Sequence, residues 1–135
     1  MKLIIYTDGA SRGNPGRASY GFTISDGENN LIYKEGKSIG ITTNNVAEYT
    51  GVLEALKKAK KFSKSQSEIE LFADSRLVVE QLSGNFKVKA PHLKPIFDQI
   101  KILEMEIGRV FYTHIPREKN SKADALANEV LDSIQ

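Results

Sequence analysis

Two aspartates stand where their carboxylates could share a bound cation. Asp8 and Asp74 each follow an apolar stretch that is typical of a buried strand, residues 3–6 and 69–73. If these strands lie parallel and adjacent, both carboxylates reach the carboxyl edge of the sheet, where open α/β sheets bind ligands. Two anions held together require a shared proton or a bound cation, and carboxylate oxygens suit Mg²⁺ or Mn²⁺.

Two further acids, Glu48 and Asp124, fall in the first turns of predicted helices. Glu48 comes three residues after Asn45, and Asp124 comes three residues after Ser121. This is also the spacing of a helix capping box, which stabilises a helix by about 0.5–2 kcal/mol. The first two aspartates have a structural alternative of their own, because Asp followed by Gly or Ser is common in turns. These alternatives explain each acid singly and leave the sequence around all four unexplained.

Hydrophobic periodicity predicts the elements that would position these acids, in the order β-β-β-α-β-α-α-β-α. We expect strands at residues 2–7, around 20–24, around 31–33, 69–73 and 110–115, and helices at 45–62, 77–82, 93–103 and 123–131. Turn residues at 13–16 and 26–30 separate the first three strands, and the second turn favours a hairpin. We find no repeat and no internal domain boundary, so we expect one α/β domain over residues 1–135.

Length and composition restrict the class of protein. A chain of 135 residues with 40% hydrophobic and 27% charged residues is typical of one soluble globular domain. The absence of cysteine excludes disulfides, a thiolate nucleophile and a cysteine-based zinc site. The formal net charge of +2 does not by itself indicate a nucleic acid or a membrane partner. Because the apolar runs are short, we expect no membrane span and no targeting leader, and hence a cytoplasmic enzyme or binding module.

Four ordered blocks of sequence contain the four acids. They are Tyr6-Thr7-Asp8-Gly9-Ala10-Ser11 with Gly13-Asn14-Pro15-Gly16, Thr42-Thr43-Asn44-Asn45 with Ala47-Glu48, Ala73-Asp74-Ser75, and Pro116-Arg117-Glu118 with Asn120 and Ala123-Asp124-Ala125-Leu126-Ala127. Together these blocks resemble the ribonuclease H family, type 1, over nearly the whole chain. The resemblance implies a ribonuclease H-like fold, in which a five-stranded mixed sheet with its first three strands antiparallel is flanked by helices. It also implies hydrolysis of the RNA strand of RNA·DNA hybrids with two Mg²⁺ ions, leaving 5′-phosphate and 3′-hydroxyl ends.

The resemblance implies that all four acids are metal ligands. Asp8 would bridge both ions, Glu48 and Asp74 would complete one site, and Asp124 would help hold the other. In a two-metal hydrolysis the ions activate water and stabilise the leaving oxygen, so no acid need act as a nucleophile. Mn²⁺ could substitute for Mg²⁺ at these ligands.

The resemblance also implies contacts with the hybrid. Ser11, Asn14 and Asn44 would lie along the groove that faces the RNA strand, where the 2′-hydroxyl distinguishes RNA from DNA. Thr43 would bind a phosphate of the DNA strand, next to a helix N-terminus whose free N–H groups attract anions. Asn14 has the alternative of a plain Asn-Pro turn residue, and Thr43 has that of a neighbour of the helix cap.

This sequence departs from the family pattern in two places. Well-known members carry a histidine in the loop before the last helix, whereas residues 115–120 here read Ile-Pro-Arg-Glu-Lys-Asn. Arg117 could supply a charge to the scissile phosphate instead, and His114 is expected to be a packed or edge residue at the end of the fifth strand. The basic protrusion of longer members is replaced by a short link over residues 85–91. We therefore expect weaker and more salt-sensitive substrate binding.

Two alternatives to a hybrid-cleaving enzyme stay open at this point. One is a nucleic-acid-binding module of the same fold with weak or lost activity, and the presence of all four acids argues against it. The other is a related nuclease that also cuts double-stranded RNA, but Asn14 and residues 43–45 favour hybrids. In each case we expect a monomer that has no membrane partner.

Overall fold

A five-stranded mixed sheet in the order β3-β2-β1-β4-β5 lies at the centre of the computed structural model, which describes residues 2–63 and 67–134. The elements in chain order are β1 (Lys2–Gly13), β2 (Gly16–Asp26), β3 (Leu31–Thr42), α1 (Asn44–Phe62), β4 (Ser67–Ala73), α2 (Arg76–Leu82), α3 (Lys94–Ile107), β5 (Gly108–His114), a 3₁₀ turn (Arg117–Lys119) and α4 (Ser121–Ser133). The first three strands are antiparallel, and β4 is parallel to both β1 and β5. The predicted fold class and element order are confirmed. None of the helices in the described ranges is both long and apolar enough to cross a membrane.

The first strand is longer than its hydrophobic pattern predicts. β1 pairs in parallel with β4 as far as Thr7↔Ala73, which confirms that the two apolar strands are neighbours. Its antiparallel pairing with β2 continues to Gly13↔Gly16. The strand therefore does not end at Asp8, and the alternative of an Asp-Gly turn there is wrong. Backbone pairing in the hairpin extends the strand through polar residues that carry no hydrophobic signal. Beyond Thr7, only one edge of β1 is paired within the described ranges.

Helix α1 covers one face of the sheet. Its buried stripe packs mainly against β1 and β2, and it shares one core with alternate residues of three strands, because side chains two positions apart on a strand share a face. The contributors are Leu3 and Ile5 of β1, Phe22 and Ile24 of β2, Ile69 and Leu71 of β4, and Tyr49, Val52, Leu56 and Ala59 of α1. Full burial of one such aliphatic or phenyl side chain stabilises the fold by about 1.5–3 kcal/mol. This packing fixes the position of α1 over the sheet, and with it the position of Glu48.

Helix α4 lies on the opposite face, over β1, β2 and β3. It contacts two glycines directly: a Cβ at Gly21 would lie 2.5 Å from the Ala123 carbonyl oxygen, and a Cβ at Gly36 would lie 2.7 Å from the Leu126 carbonyl oxygen. No side chain fits between these strands and the helix backbone. The start of α4, which carries Asp124, is therefore held against the sheet next to β1.

The segment between α2 and α3 is short, as predicted. No further helix lies between these two among the residues that the structure describes. The Tyr49 hydroxyl donates to Gln81 Oε1 at 2.5 Å, and Gln81 Nε2 donates to the Lys87 carbonyl at 3.1 Å. This buried relay attaches the link to α1.

Candidate active site

Three carboxylates converge at the edge of the sheet where β1 and β4 part. Asp8 lies on β1 just beyond the last pair with β4, Asp74 follows the end of β4, and Glu48 lies in the second turn of α1. One oxygen from each acid lies within 4.8 Å of the oxygens from the other two. Asp8 is 4% exposed and Glu48 is 6% exposed. Three acids that are far apart in the sequence therefore share one small, mostly buried volume.

Neither predicted capping box exists. Helix α1 is capped by Thr43, whose Oγ1 accepts a hydrogen bond from the Val46 N–H at 3.3 Å. Glu48 is therefore too far along the helix to cap it. Helix α4 is capped at Asn120 rather than at Ser121, and the cap side chain makes no capping bond. The capping alternative is wrong for both acids because each helix begins earlier than the spacing requires.

Burial and mutual repulsion oppose ionisation of the cluster. Burial raises the pKa of Asp8, and the charges of Glu48 and Asp74 raise it further. Burial also raises the pKa of Glu48, and the charge of Asp74 adds to that increase. The cluster by itself therefore keeps protons that exposed carboxyl groups lose. A set of three carboxylate oxygens at this spacing fits a hard divalent cation such as Mg²⁺ or Mn²⁺, whose charge would offset the repulsion.

Asp124 extends the cluster from α4. Its carboxyl group lies near enough to Asp8 to raise the pKa of Asp8 further, but outside the set of three acids whose oxygens all approach one another. Its side chain is 30% exposed, and its Oδ1 lies 3.7 Å from Nη2 of Arg117. Asp8 therefore lies between Glu48, on the helix that covers one face of the sheet, and Asp124, on the helix that covers the other face.

A cleft of about 730 Å³ opens over the acids. Ser11, Asn14 and Asn44, the residues expected to face the RNA strand, line this cleft. Asn14 is more than a turn residue, because its Oδ1 accepts a hydrogen bond from the Asn44 N–H at 3.0 Å and so joins the β1–β2 hairpin to α1. Thr43 is not among the described residues that line the cleft, since its hydroxyl caps α1. It is the cap residue itself rather than a neighbour of the cap.

Arg117, which was predicted to act in place of the missing loop histidine, lies apart from His114. Arg117 lies in the 3₁₀ turn and lines the cleft, with a side chain that is 80% exposed. His114 is exposed at the end of β5, which is an edge strand, so the expectation of an edge histidine is confirmed. Only the arginine is placed where it could reach a substrate in the cleft.

Two residues of the cleft, Arg12 and Asn128, were not predicted from the sequence. Arg12 Nη2 donates to Asn128 Oδ1 at 3.3 Å, and Asn128 Nδ2 donates to Oδ1 of Asp124 at 3.2 Å. The i, i+4 spacing of Asp124 and Asn128 on a predicted helix is a signal that could have indicated the second contact. No local pattern indicates the contact between Arg12 and Asn128, because these two residues are 116 positions apart.

Gly9 allows α1 to approach β1 closely. A Cβ at this position would lie 2.4 Å from the Ala47 carbonyl carbon and from the Glu48 nitrogen. We therefore expect Gly9→Ala to push Glu48 away from Asp8 and to lower the free energy of unfolding by about 1–3 kcal/mol, the usual cost of overpacking. Urea unfolding of the metal-free protein measures this. Gly27→Ala, where the new Cβ meets nothing nearer than 3.6 Å, is the matched control. Equal stability of the two variants would contradict the close packing.

Comparison with known proteins identifies relatives over nearly the whole chain. A protein-family model described as reverse transcriptase-like matches residues 6–130. A bifunctional protein of Mycobacterium tuberculosis is 42% identical over 134 residues, which are 98% of this chain and 36% of that protein. Ribonuclease HI of Halobacterium salinarum is 42% identical over 127 residues, which are 94% of this chain and 63% of that protein. The chain thus spans between roughly one third and two thirds of the length of these curated relatives.

A solved structure shares the whole fold. LC11-RNase H1, determined in complex with an RNA/DNA hybrid, is 44% identical in sequence and matches with a TM-score of 0.94. The match covers 98% of this chain and 98% of that one. The sheet and helices that hold the four acids are therefore part of a known architecture.

Proposed function

Because this chain belongs to the ribonuclease H family, type 1, we propose that it is a metal-dependent endoribonuclease that hydrolyses the RNA strand of RNA·DNA hybrids. The observation that carries this proposal is the convergence of Asp8, Glu48 and Asp74 in an open cleft, since such a cluster ionises fully only with cations between its carboxylates. The bound hybrid of LC11-RNase H1, a similar protein, supports the substrate. The products would carry 5′-phosphate and 3′-hydroxyl ends.

The four acids would divide into two overlapping ligand sets. Asp8, Glu48 and Asp74 would hold one divalent ion, and Asp8 with Asp124 would hold a second. When bound, two such ions activate water and stabilise the leaving oxygen of an in-line displacement at phosphorus. Asp8 suits the bridging role because the other acids approach it from two sides. Carboxylate oxygens favour Mg²⁺, for which Mn²⁺ could substitute.

Short polar side chains in the cleft would recognise the hybrid. Ser11, Asn14 and Asn44 line the cleft next to the acids, where a ribose 2′-hydroxyl can both donate and accept hydrogen bonds. We propose Thr43 as a contact to a phosphate of the DNA strand. Its Oγ1 already accepts the Val46 N–H, so what it offers a phosphate is its own hydroxyl proton.

Arg117 is proposed to contact the scissile phosphate. It forms only a loose, exposed pair with Asp124, so little free energy holds its guanidinium away from a substrate. We expect Arg117→Ala to lower the single-turnover rate of hybrid cleavage about 10-fold or more, because a cation at the developing charge is lost. Arg109→Ala, which removes an exposed arginine of β5, is the control. An unchanged rate together with unchanged hybrid affinity in Arg117→Ala would remove Arg117 from the site.

The surroundings in which the enzyme works are also proposals. One chain supplies all four acids, which supports action as a monomer. The chain contains no cysteine, which is compatible with a reducing compartment, and we propose the cytoplasm without a membrane partner. Because no further helix lies between α2 and α3 among the described residues, hybrid binding should be weaker than in longer family members and more sensitive to salt.

One gel experiment tests the proposed function. Labelled RNA·DNA hybrid, RNA duplex and DNA duplex are incubated with the protein in Mg²⁺, in Mn²⁺ and in chelator. We expect cleavage of the RNA strand of the hybrid, with either metal and not with chelator. Hybrid binding without cleavage in any metal would instead indicate a nucleic-acid-binding module, and equal cleavage of the RNA duplex would indicate a broader nuclease.

A further inference from the structure

A chain of polar contacts crosses the surface of α4 and ends on Asp124. Arg12, which lies on the β1–β2 hairpin, donates from Nη2 to Asp132 Oδ1 at 2.8 Å and to Asn128 Oδ1 at 3.3 Å. Asn128 Nδ2 in turn donates to the Asp124 backbone carbonyl at 2.9 Å and to Asp124 Oδ1 at 3.2 Å. The hairpin that lines the cleft is thereby connected to the fourth acid through one amide.

These contacts fix the orientation of the Asn128 amide. Its oxygen faces a guanidinium, which can only donate, and its nitrogen faces a carbonyl and a carboxylate oxygen, which can only accept. A flipped amide would place donor against donor and acceptor against acceptor. Arg12 therefore selects the amide orientation in which Asn128 donates to Asp124.

Asp124 needs such support more than Asp8 and Glu48 do. Asp8 and Glu48 are 4% and 6% exposed, so the surrounding packing restricts their side chains, whereas the Asp124 side chain is 30% exposed on a helix surface. Asn128 and Arg117 both approach the same oxygen, Oδ1. Oδ2 is therefore the oxygen left for a cation.

We propose that Asn128 is a positioning residue that holds Asp124 with Oδ2 toward the second cation, and that Arg12 acts through it by fixing the amide. This inference rests on the proposed function, in which Asp124 helps hold the second ion. Partners that orient a metal ligand in this way change metal affinity by roughly 10–100-fold when they are removed. The loss should fall on the second ion alone, since the hydrogen bonds that Asn128 makes within residues 2–63 and 67–134 go to Arg12 and Asp124 and not to the three clustered acids.

The test is a calorimetric titration of Mn²⁺ into the full chain bound to a hybrid whose scissile 3′-oxygens are replaced by methylene groups, so that it binds but is not cleaved. For the wild type we expect two binding steps. In Asn128→Leu the weaker step should lose about 10-fold or more in affinity, while the tighter step changes less than about twofold. Asn128→Gln, which keeps an amide donor, should recover most of the loss.

A double-mutant cycle distinguishes positioning from general stability. Arg12→Met should weaken the second step in the wild-type background and should add nothing in the Asn128→Leu background. Arg17→Met is the matched control, because Arg17 connects the same hairpin to the same helix, donating to the Ile134 carbonyl at 2.9 Å, and does not contact Asn128 in the structure. It should leave both steps unchanged. Additive losses in the cycle, or equal losses from Arg17→Met, would overturn the proposal.

Failure of this inference is distinguishable from failure of the proposed function. If the wild type takes up no Mn²⁺ and does not cleave hybrid, the proposed function is wrong. If the wild type cleaves hybrid and binds two ions, and Asn128→Leu binds both as tightly, only the positioning role is wrong. Should Asn128→Leu fail to fold, the comparison of Arg12→Met with Arg17→Met decides the question by itself, because it needs no change at Asn128.

Discussion

Replacing Asp8 by Asn is expected to lower Mg²⁺-dependent cleavage of an RNA·DNA hybrid by at least about 10³-fold, because the one acid that both ligand sets share is lost. Asp74→Asn should have an effect of the same order, since Asp74 belongs to the cluster of three. Both substitutions keep the shape of the side chain and remove one negative charge. The fold should therefore remain intact, and the loss should appear in the chemical step.

The measurement is single-turnover cleavage of labelled hybrid over a range of Mg²⁺ concentrations, with circular dichroism as a check on folding. Asp98→Asn is a matched control, because Asp98 is exposed on α3 and takes part in a surface ion pair with Lys94. Such a pair contributes little to stability, about 0–1 kcal/mol. Substantial turnover by purified Asp8→Asn or Asp74→Asn would refute the assignment of the acids.

The metal-free protein is expected to lose stability as the pH rises from about 5 to about 9, by an amount of order 1–3 kcal/mol. Burial and neighbouring charges raise the pKa of both Asp8 and Glu48, so the folded protein binds protons more tightly than the unfolded chain. The stability that these groups contribute is complete below their ordinary pKa values of 3.8 and 4.5. It is lost as the pH rises through the raised pKa values, because the unfolded chain releases its protons first.

Asp8→Asn isolates this effect from other titrating groups. In chelator, the free energy of unfolding of the variant should equal that of the wild type near pH 4. Toward pH 9 it should exceed the wild-type value by an increasing amount. Adding Mg²⁺ should stabilise the wild type most at alkaline pH, because the ion binds the folded cluster and fewer protons then compete with it for the carboxylates. Urea unfolding at several pH values, with and without Mg²⁺, provides the measurement. If the difference in free energy of unfolding between variant and wild type were the same at every pH, the cluster would ionise without loss of stability and this prediction would be wrong.

The sheet and two of its acids could be predicted from the sequence because the signals are local. The apolar run at residues 3–6 is typical of a strand buried on both faces, and such strands pair in parallel at the centre of a sheet. That pairing placed Asp8 beside Asp74. The extension of β1 to Gly13 was missed, because residues 11–13 have no hydrophobic face and are held by backbone pairing alone.

Other features of the site depend on contacts that no local pattern contains. Sequence spacing alone cannot decide whether Glu48 caps a helix or binds a metal, since both roles require an acid near the start of α1. The structure decides it, because Thr43 supplies the cap and the close approach at Gly9 sets where Glu48 lies. The relay from Arg12 to Asn128 connects opposite ends of the chain, so only the tertiary structure brings it together.

Over residues 8–13, β1 pairs with β2 but not with β4, and this affects which experiments can measure substrate recognition. Between Asp8 and Gly13 one edge of the strand pairs with no other strand among the described residues, and every residue of this stretch lines the cleft. Main-chain amides and carbonyls are common to all residues, so an alanine scan leaves them in place and would underestimate their share of the affinity. Replacing single peptide bonds by esters, which removes one N–H at a time, would reveal that share.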